Sequence, residues 1–287
     1  MNHILIAGAT GYLGSHLLRE LQNRNADFKA LARNDDKLRT LGLKQEQMLI
    51  CQLTHPETIY NRLTGIDTII STIGITRQKD GLSYMDVDYQ ANMNLLVEAR
   101  RAGVGKFVYV AALNGQQLRH LKIMEAKEKF VDALKSSGID YCIIRPNGFF
   151  SDMKDFLQMA STGKVYLFGH GNYKLNPIHG KDLARVIMDA VTQPIHELEV
   201  GGPEIITQNE IARQALNCLS SKGKIIHVPD LFRKALITLM KAFTSSRTYG
   251  PYEFFLTMMS QHNIAPCYGQ HKLHAFFEQQ AKMMKKE

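Results

Sequence analysis

A glycine-spaced turn near the amino terminus is the feature that most restricts how this chain can fold. An apolar run of strand length, His3 to Ala7, leads directly into Gly8-Ala9-Thr10-Gly11-Tyr12-Leu13-Gly14, where a helical pattern begins. Gly8 permits a tight turn, Gly11 lets the backbone approach a pyrophosphate, and Gly14 allows the helix to pack closely on the strand. The N–H groups that open such a helix attract anions. Because the spacing lies between a strand and a helix, it predicts a dinucleotide site rather than a glycine-rich connection that binds nothing.

The first half of the chain alternates apolar runs of strand length with helical patterns. The predicted strands are His3 to Ala7, Phe28 to Ala32, Gln47 to Cys51, Thr68 to Ser71, Phe107 to Ala111 and Tyr141 to Ile144, and the predicted helices include Leu13 to Asn23, Tyr89 to Ala102 and Leu121 to Ser136. Continuous apolarity suits strands that are covered on both faces. The repeated βαβ order predicts an α/β protein with a doubly wound parallel sheet, the Rossmann fold.

The regular alternation weakens after Arg145-Pro146, where Gly-rich turns appear and helical patterns outnumber strands. We therefore predict a nucleotide-binding core over residues 1–150, and over residues 151–287 the completion of the sheet with a smaller C-terminal lobe on the substrate side. Neither an internal repeat nor a low-complexity linker separates the two parts. We expect one compact unit rather than separate domains on a linker.

The balance of charge favours anionic partners. Thirty-five Lys and Arg residues against 27 Asp and Glu residues give a formal net charge of +8. Trp is absent, and the positive charge is not interleaved with stacking aromatic residues, so we expect no nucleic acid partner. Net charge alone does not choose between the other anionic partners, which are phosphates and a membrane surface.

The cysteines and the apolar runs indicate the compartment. Cys51, Cys142, Cys218 and Cys267 are widely separated, and no run approaches the roughly 18 apolar residues that a spanning helix needs. The sequence opens on a strand-like run rather than on a leader pattern. We expect a cytoplasmic protein with reduced thiols.

Two segments of the C-terminal half invite other interpretations. Cys267, His271 and His274 provide too few ligands for a metal centre, so we expect no metal. The stretch 231–243 is basic and apolar at helical spacing, a pattern that suits an anionic membrane surface, a cap over the pocket or a partner protein. Since most amphipathic helices cover a core, we expect this one to dock on the main domain instead, and we expect neither a membrane nor a protein partner.

The residue that ends the second strand predicts which dinucleotide is bound. A dinucleotide site normally has an acid there to hold the ribose hydroxyls, whereas this chain has Arg33, nineteen positions after Gly14. A guanidinium group matches a 2′-phosphate, which favours NADP(H) over NAD. The alternative is a surface arginine paired with Asp35 or Asp36.

Further segments resemble the short-chain dehydrogenase/reductase superfamily, in its atypical, NmrA-like branch. The shared segments are the Gly8 to Gly14 turn, Thr68 to Gly74, Val108 to Ala112, Ala126-Lys127-Glu128 and Ile144 to Phe150. Within that branch, three segments are similar to divinyl-chlorophyllide 8-vinyl-reductases: Asp88 to Asn92, Glu125 to Phe130 and Ala265 to Gly269.

The resemblance implies an NADP(H) site and a set of cofactor contacts. Carried over position by position, these contacts are Gly8, Thr10, Gly11, Tyr12, Leu13, Gly14, Arg33, Leu53, Ser71, Thr72, Ile73, Gly74, Ala111, Ala112, Lys127, Pro146, Asn147, Gly148 and Phe149.

The superfamily's usual carbonyl-reduction residues are missing. Its proton-donating Tyr lies four residues before the Lys, where this chain has Ile123, and Ala111 and Ala112 stand where its Ser would be. The candidate catalytic residues that remain are Lys127 and His120, seven residues earlier on about the same predicted helical face. Each has a plainer alternative: Lys127 as a surface lysine paired with a neighbouring Glu, and His120 as a solvated histidine.

The expected activity is NADP(H)-dependent hydride transfer to an apolar small molecule, an activated alkene or a quinone. Methionines of the C-terminal half, such as Met153 and Met159, fit a pliable apolar pocket or plain core packing. The alternative function is a catalytically silent NADP(H)-binding redox sensor or assembly factor, as the missing Ser and Tyr suggest.

Overall fold

The computed structural model describes residues 3–76, 81–219 and 222–284. The chain forms two compact units. The first comprises Met1–Arg145 and Ala184–Leu198, and the second comprises Pro146–Leu183 and Glu199–Glu287.

A seven-stranded sheet forms the centre of the α/β fold. Its strands are β1 Ile4–Ala7, β2 Phe28–Ala32, β3 Met48–Ile50, β4 Thr68–Ser71, β5 Lys106–Val110, β6 Asp140–Pro146 and β9 Glu197–Val200. Their order in the sheet is β3-β2-β1-β4-β5-β6-β9. In the parallel register, Ile4 lies opposite both Phe28 and Thr68. The six predicted strands and the parallel sheet are confirmed, within one or two residues at each strand end.

The helices of the first unit connect successive strands. They are α1 Tyr12–Asn23, α2 Asp36–Thr40, α3 Asn92–Arg101 and α4 Lys122–Lys135. A π-helical turn, Met85–Ala91, runs directly into α3, where the sequence predicts an α-helix from Tyr89. Strand residues such as Leu5, Phe107 and Ile143 are fully buried in the core, which explains why these runs are continuously apolar.

The second unit has its own core and two small sheets. Its strands are β7 Lys164–Phe168, β8 Lys174–Leu175, β10 Ile206–Thr207 and β11 Lys224–Val228, and its helices include α5 Lys154–Ser161, α7 Gln208–Cys218 and α10 Leu273–Met284, while α6 Gly180–Val191 spans both units. β7 pairs with β11 in parallel, and β8 pairs with β10 antiparallel. Met153 lies in this core and Met159 packs against it, so plain packing explains both methionines.

The predicted amphipathic helix is present as α8 Asp230–Phe243, followed by α9 Ser246–Met258. The expectation that α8 covers a core is wrong for most of its apolar residues. Arg233 is its only buried residue, Ile237 and Met240 are partly buried, and the other five large apolar side chains are exposed. Periodicity predicts a helix and its apolar face, but it does not determine which face packs. Over the described part of the chain, no helix is both long and apolar enough to cross a membrane.

Candidate dinucleotide-binding site

The glycine turn connects β1 to α1 with the geometry that its spacing predicts. Gly8 has a φ of +82°, and a Cβ there would lie 2.6 Å from the Thr72 hydroxyl at the end of β4. A Cβ on Gly14 would collide with the carbonyl oxygen of Gly8 and lie 2.8 Å from the Cα of Ala9. Only glycine therefore lets the helix start this close to the strand ends.

The amino terminus of α1 has the features of an anion-binding helix end. Gly11 is the N-cap residue and provides no side-chain acceptor, and the first helical turn contains no acidic residue. In an α-helix the first N–H groups point along the axis without an acceptor in the helix itself, and the helix dipole adds partial positive charge at this end.

A cavity of about 410 Å³ opens where four neighbouring strands end. Eight of the predicted contacts line it: Gly8, Thr10, Gly11, Arg33, Leu53, Thr72, Ile73 and Gly74. The ends of parallel strands meet at one edge of a sheet, which brings these distant positions together.

Arg33 and Lys37 both line this cavity. Arg33 follows β2, and Lys37 belongs to the short helix α2. Asp35, one of the two acids considered as partners of Arg33, forms an ion pair with Arg39 at 2.6 Å. Two cations thus flank the end of β2, where sequence reasoning identified only Arg33. The signal available for Lys37 was a second basic residue shortly after the strand.

Sequence reasoning also missed a largely uncharged part of the lining. These residues follow β3 and β4 or lie in the π-helical turn: Cys51, Gln52, Thr54, Ile75, Leu82, Val87 and Ala91. Their positions after the third and fourth predicted strands were the only signal in the sequence.

Lys127 belongs to a buried group beside the cavity. Its ammonium lies 2.8 Å from Oδ1 of Asp88, whose carboxylate is completely buried and also accepts a hydrogen bond from the Ile75 N–H at 3.1 Å. A Cβ on Gly74 would lie 2.6 Å from the Asp88 Oδ1 and 2.7 Å from the Lys127 Nζ, so both members of the ion pair lie directly behind the cavity wall. Of the described residues that line the cavity, none is Lys127 itself.

Burial and charge set the protonation of this group. Burial alone would lower the pKa of Lys127, but the neighbouring carboxylate of Asp88 holds that pKa above its usual range. Burial raises the pKa of Asp88, and the ammonium opposes this rise. Burial likewise raises the pKa of the Tyr109 phenol. Lys127 therefore stays a cation, and the neighbouring phenol stays neutral.

The plainer interpretation of Lys127, a surface lysine paired with a neighbouring Glu, is wrong. Glu128 is buried and forms an ion pair with Arg145, and Glu125 pairs with Lys122 at 2.9 Å. The partner of Lys127 comes instead from the π-helical turn, which no local pattern indicates.

The helical argument for His120 is also wrong. α4 begins at Lys122, and His120 lies exposed in the preceding turn, so the two candidates do not share a helical face. Ile123 occupies the position four residues before Lys127 and is buried. A catalytic role for His120 stays a prediction without this geometric support.

Several predicted contacts lie outside the lining of the cavity. Ser71 is buried and donates a hydrogen bond to the Asn92 Oδ1 at 2.6 Å. Tyr12 packs edge-on against His16, with ring centroids 5.1 Å apart. Besides Lys127, the other predicted contacts of the first unit that are outside the lining are Leu13, Gly14, Ala111 and Ala112.

Residues Pro146, Asn147, Gly148 and Phe149 belong to the second unit. The Asn147 amide donates to the Asn176 Oδ1 at 2.7 Å, and the Phe149 N–H donates to the Asp152 Oδ2 at 2.9 Å. Their role in cofactor binding stays a prediction.

The residues considered for a metal have other partners. His271 contacts Asp182 at 2.7 Å, His274 lies 3.4 Å from Glu278, and Cys267 is exposed.

A nucleotide-binding protein is defined by three features together: the parallel α/β fold, the glycine turn and the amino terminus of α1 that suits an anion. A family model described as NAD(P)H-binding matches residues 8–194, which is more than half of the chain. The chain belongs to this NAD(P)H-binding family, which confirms the predicted class of cofactor.

Particular relatives support the resemblance stated above. The chain is 28% identical over 249 residues to the chloroplastic divinyl chlorophyllide a 8-vinyl-reductase of Cucumis sativus, covering 79% of this chain and 59% of that protein. It is 29% identical over 183 residues to the photosystem II assembly factor Ycf39 of Guillardia theta, covering 63% of this chain and 58% of that one. The chain thus spans about three fifths of the length of these relatives.

A solved structure shows the same fold. The triphenylmethane reductase of Citrobacter sp., crystallised with NADP(H), superposes with a TM-score of 0.73 at 17% identity, covering 97% of this chain and 99% of that one.

Proposed function

We propose that this chain binds NADP(H) and uses it to reduce an apolar small molecule, an activated alkene or a quinone. The observation on which the proposal depends is the cavity where the glycine turn, Arg33 and Lys37 lie together. When bound, the nicotinamide group supplies a hydride.

The chain's own residues fit the cofactor in separate ways. The turn at Gly8 and Gly11 leaves room for a pyrophosphate, and the first N–H groups of α1 donate to it. Arg33 and Lys37 supply two positive charges for the 2′-phosphate. In this proposal, the ion pair of Lys127 with Asp88 lies behind the wall at Gly74 and fixes the position of that wall beside the cofactor.

The proposed class of acceptor rests on the missing Tyr and Ser and on the name of one relative. Ile123, Ala111 and Ala112 stand where a carbonyl reductase would have its Tyr and Ser. Activated alkenes and quinones accept a hydride without a strong acid beside the reacting carbon, since water can protonate the product. The Cucumis sativus relative is named for reduction of a vinyl group, which supports an alkene acceptor.

The preference for NADP(H) is tested by calorimetry with NADPH and NADH. Because hydrogen bonds between charged groups contribute about 1.5–3 kcal/mol, Arg33→Ala is expected to weaken NADPH binding roughly tenfold to a hundredfold and to leave NADH binding within about threefold. Lys37→Ala should show the same selectivity with a smaller loss. Lys44→Ala is the matched control, because Lys44 is exposed and outside the cavity lining. Equal losses for both cofactors would defeat the 2′-phosphate assignment.

Turnover is tested by NADPH consumption on a panel of quinones and conjugated enones. The proposal expects at least one acceptor to be reduced, with turnover lowered by Gly8→Ala in proportion to lost cofactor binding. Tight NADPH binding without turnover on any acceptor would contradict the reductase.

The second candidate is a catalytically silent NADP(H)-binding sensor or assembly factor. It is favoured by the engagement of Lys127 with the buried Asp88, and by the relative named as an assembly factor. It shares the cofactor site with the reductase and predicts binding alone, so the turnover assay separates the two.

A further inference from the structure

Helix α8 packs on the rest of the second unit by its charged side. Arg233 is buried and forms an ion pair at 2.6 Å with Asp230 of the same helix. Lys241 forms an ion pair with Glu253 of α9, whose side chain is almost fully buried. At 100° per residue, Arg233, Ile237 and Lys241 lie on one side of the helix. Ile237 is partly buried, in keeping with that side facing α9. The mixed, basic side of this amphipathic helix is therefore its packed side.

The opposite side of α8 is apolar and faces solvent. Its large residues and their exposed fractions are Leu231 74%, Phe232 62%, Leu236 41%, Leu239 58% and Phe243 79%. We call these five residues the α8 apolar face. Isolated exposed apolar residues are common, but five on one helix face form a patch of the kind that marks an interaction site.

The charges around this face are predominantly positive. Residues 222–253 contain six Lys and Arg residues and two acidic residues, a net charge of +4 with His neutral. Both acids are engaged, Asp230 with Arg233 and Glu253 with Lys241. Lys222, Lys224 and Arg247 are exposed, so the stretch of chain that contains the apolar face presents positive charge to solvent.

This charge selects among the occupants of an apolar face. A second copy of the chain, packed face to face by two-fold symmetry, would bring two regions of +4 together. An anionic lipid surface instead attracts the basic residues while its acyl chains accept Leu and Phe side chains. Tyr252 of α9, 57% exposed, has the amphipathic character that favours the lipid–water interface.

We propose that α8 is a membrane-surface helix, with its apolar face inserted at the interface of an anionic phospholipid bilayer. The proposal is independent of the reductase function, since none of these residues lines the cofactor cavity.

The test uses the full chain and sedimentation with vesicles. One set contains phosphatidylcholine and phosphatidylglycerol, and the other contains phosphatidylcholine alone. The chain is expected to bind the anionic vesicles at least tenfold more strongly than the neutral ones, with binding that weakens as salt is added. Phe232→Glu combined with Leu239→Glu should abolish binding. Val97→Glu, at an equally exposed apolar position of α3, is the matched control and should bind like the unmodified chain.

A spectroscopic readout is available because the sequence has no Trp. Leu239→Trp places a single indole on the α8 apolar face, and its fluorescence should shift to the blue with anionic vesicles only. Equal binding to both vesicle types, or no shift of the indole, would overturn the proposal. A dimer that Phe232→Glu dissociates, with no vesicle binding, would overturn it in favour of a second copy.

Discussion

The ammonium of Lys127 lies 2.8 Å from a carboxylate oxygen of Asp88 that is completely buried. Lys127 comes from the middle of α4, and Asp88 comes from the π-helical turn before α3. A buried carboxylate is costly unless a cation accompanies it. The lysine therefore has a structural role whether or not it acts on a substrate.

Removal of that cation should destabilise the fold in a pH-dependent way. Lys127→Met leaves Asp88 buried and unpaired, with an expected loss of about 3–5 kcal/mol in the free energy of unfolding near neutral pH. Burial raises the pKa of Asp88, so the folded variant holds a proton more tightly than the unfolded chain. The loss should be small in acid and should grow as the pH rises through the raised pKa. Urea denaturation across pH measures it.

The double variant Lys127→Met/Asp88→Asn is the control for this prediction. It should recover much of the lost stability and should remove the pH dependence. A single Lys127→Met variant as stable as the unmodified chain would contradict the buried ion pair.

Gly8 and Gly42 form a matched pair for testing the turn. Both have positive φ angles, +82° and +76°, but a Cβ on Gly42 meets nothing within 4 Å, whereas one on Gly8 meets Thr72. Gly42→Ala should cost the backbone strain alone, roughly 1–2 kcal/mol. Gly8→Ala should cost more and should also weaken NADPH binding. Thermal unfolding and calorimetry compare the two variants, and equal effects on binding would argue against a role for the Gly8 turn.

The Tyr109 hydroxyl is buried and has no well-formed hydrogen bond among the described residues, although it lies near the Lys127 ammonium. Tyr109→Phe should therefore change the free energy of unfolding by less than about 0.5–1 kcal/mol. Tyr109→Ala, which opens a cavity in the core, should cost about 3–5 kcal/mol. A loss above about 2 kcal/mol for Tyr109→Phe would reveal a strong hydrogen bond to the lysine.

Asp182 fixes the segment that leads into α10. Its buried carboxylate accepts hydrogen bonds from the N–H groups of Gln270 and His271, at 3.0 and 2.8 Å, and contacts the His271 ring at 2.7 Å. Burial opposes ionisation, but these contacts outweigh burial and lower the pKa of Asp182. The stabilisation is thus present at neutral pH and is lost as the pH falls below about 4, through the lowered pKa.

Asp182→Asn should cost about 2–3 kcal/mol at neutral pH and should weaken the acid dependence of stability, measured by urea denaturation. Asp189→Asn changes an exposed ion pair with Arg24 and is expected to cost less than about 1 kcal/mol. Equal losses for both variants would show that the contacts of Asp182 contribute no more than a surface pair.

The extent to which sequence predicts this molecule depends on whether a feature is local. The six predicted strands lie in continuous apolar runs that a parallel sheet requires, and the glycine turn lies between two of them. β9 was missed because its four residues, Glu197–Val200, alternate in exposure and form no apolar run. The contact between Asp88 and Lys127 was not predicted, because no sequence pattern near Asp88 indicates it.

The residues of the candidate site likewise separate into those that the sequence predicted and those that depend on tertiary packing. The glycine turn and the end of the second strand predicted Gly8, Gly11 and Arg33 from the residues themselves, and the family resemblance supplied the other five lining residues that were predicted. Lys37 lies on a short helix whose orientation depends on tertiary packing, and the apolar face of α8 is exposed although its periodicity suits a buried one. Burial of a helix face is a property of its neighbours, which a single segment does not encode.

In the π-helical turn Met85–Ala91, the number of residues determines whether Asp88 can meet Lys127. A π turn accommodates one residue more than an α turn, so loss of a single residue there would restore an α-helix and rotate what precedes the deletion by about 100°. A homologue that keeps both an Asp and a Lys, but aligns with a one-residue gap in this stretch, is therefore expected to have separated them. Evolutionary comparison should align this turn by length before it compares residue identity.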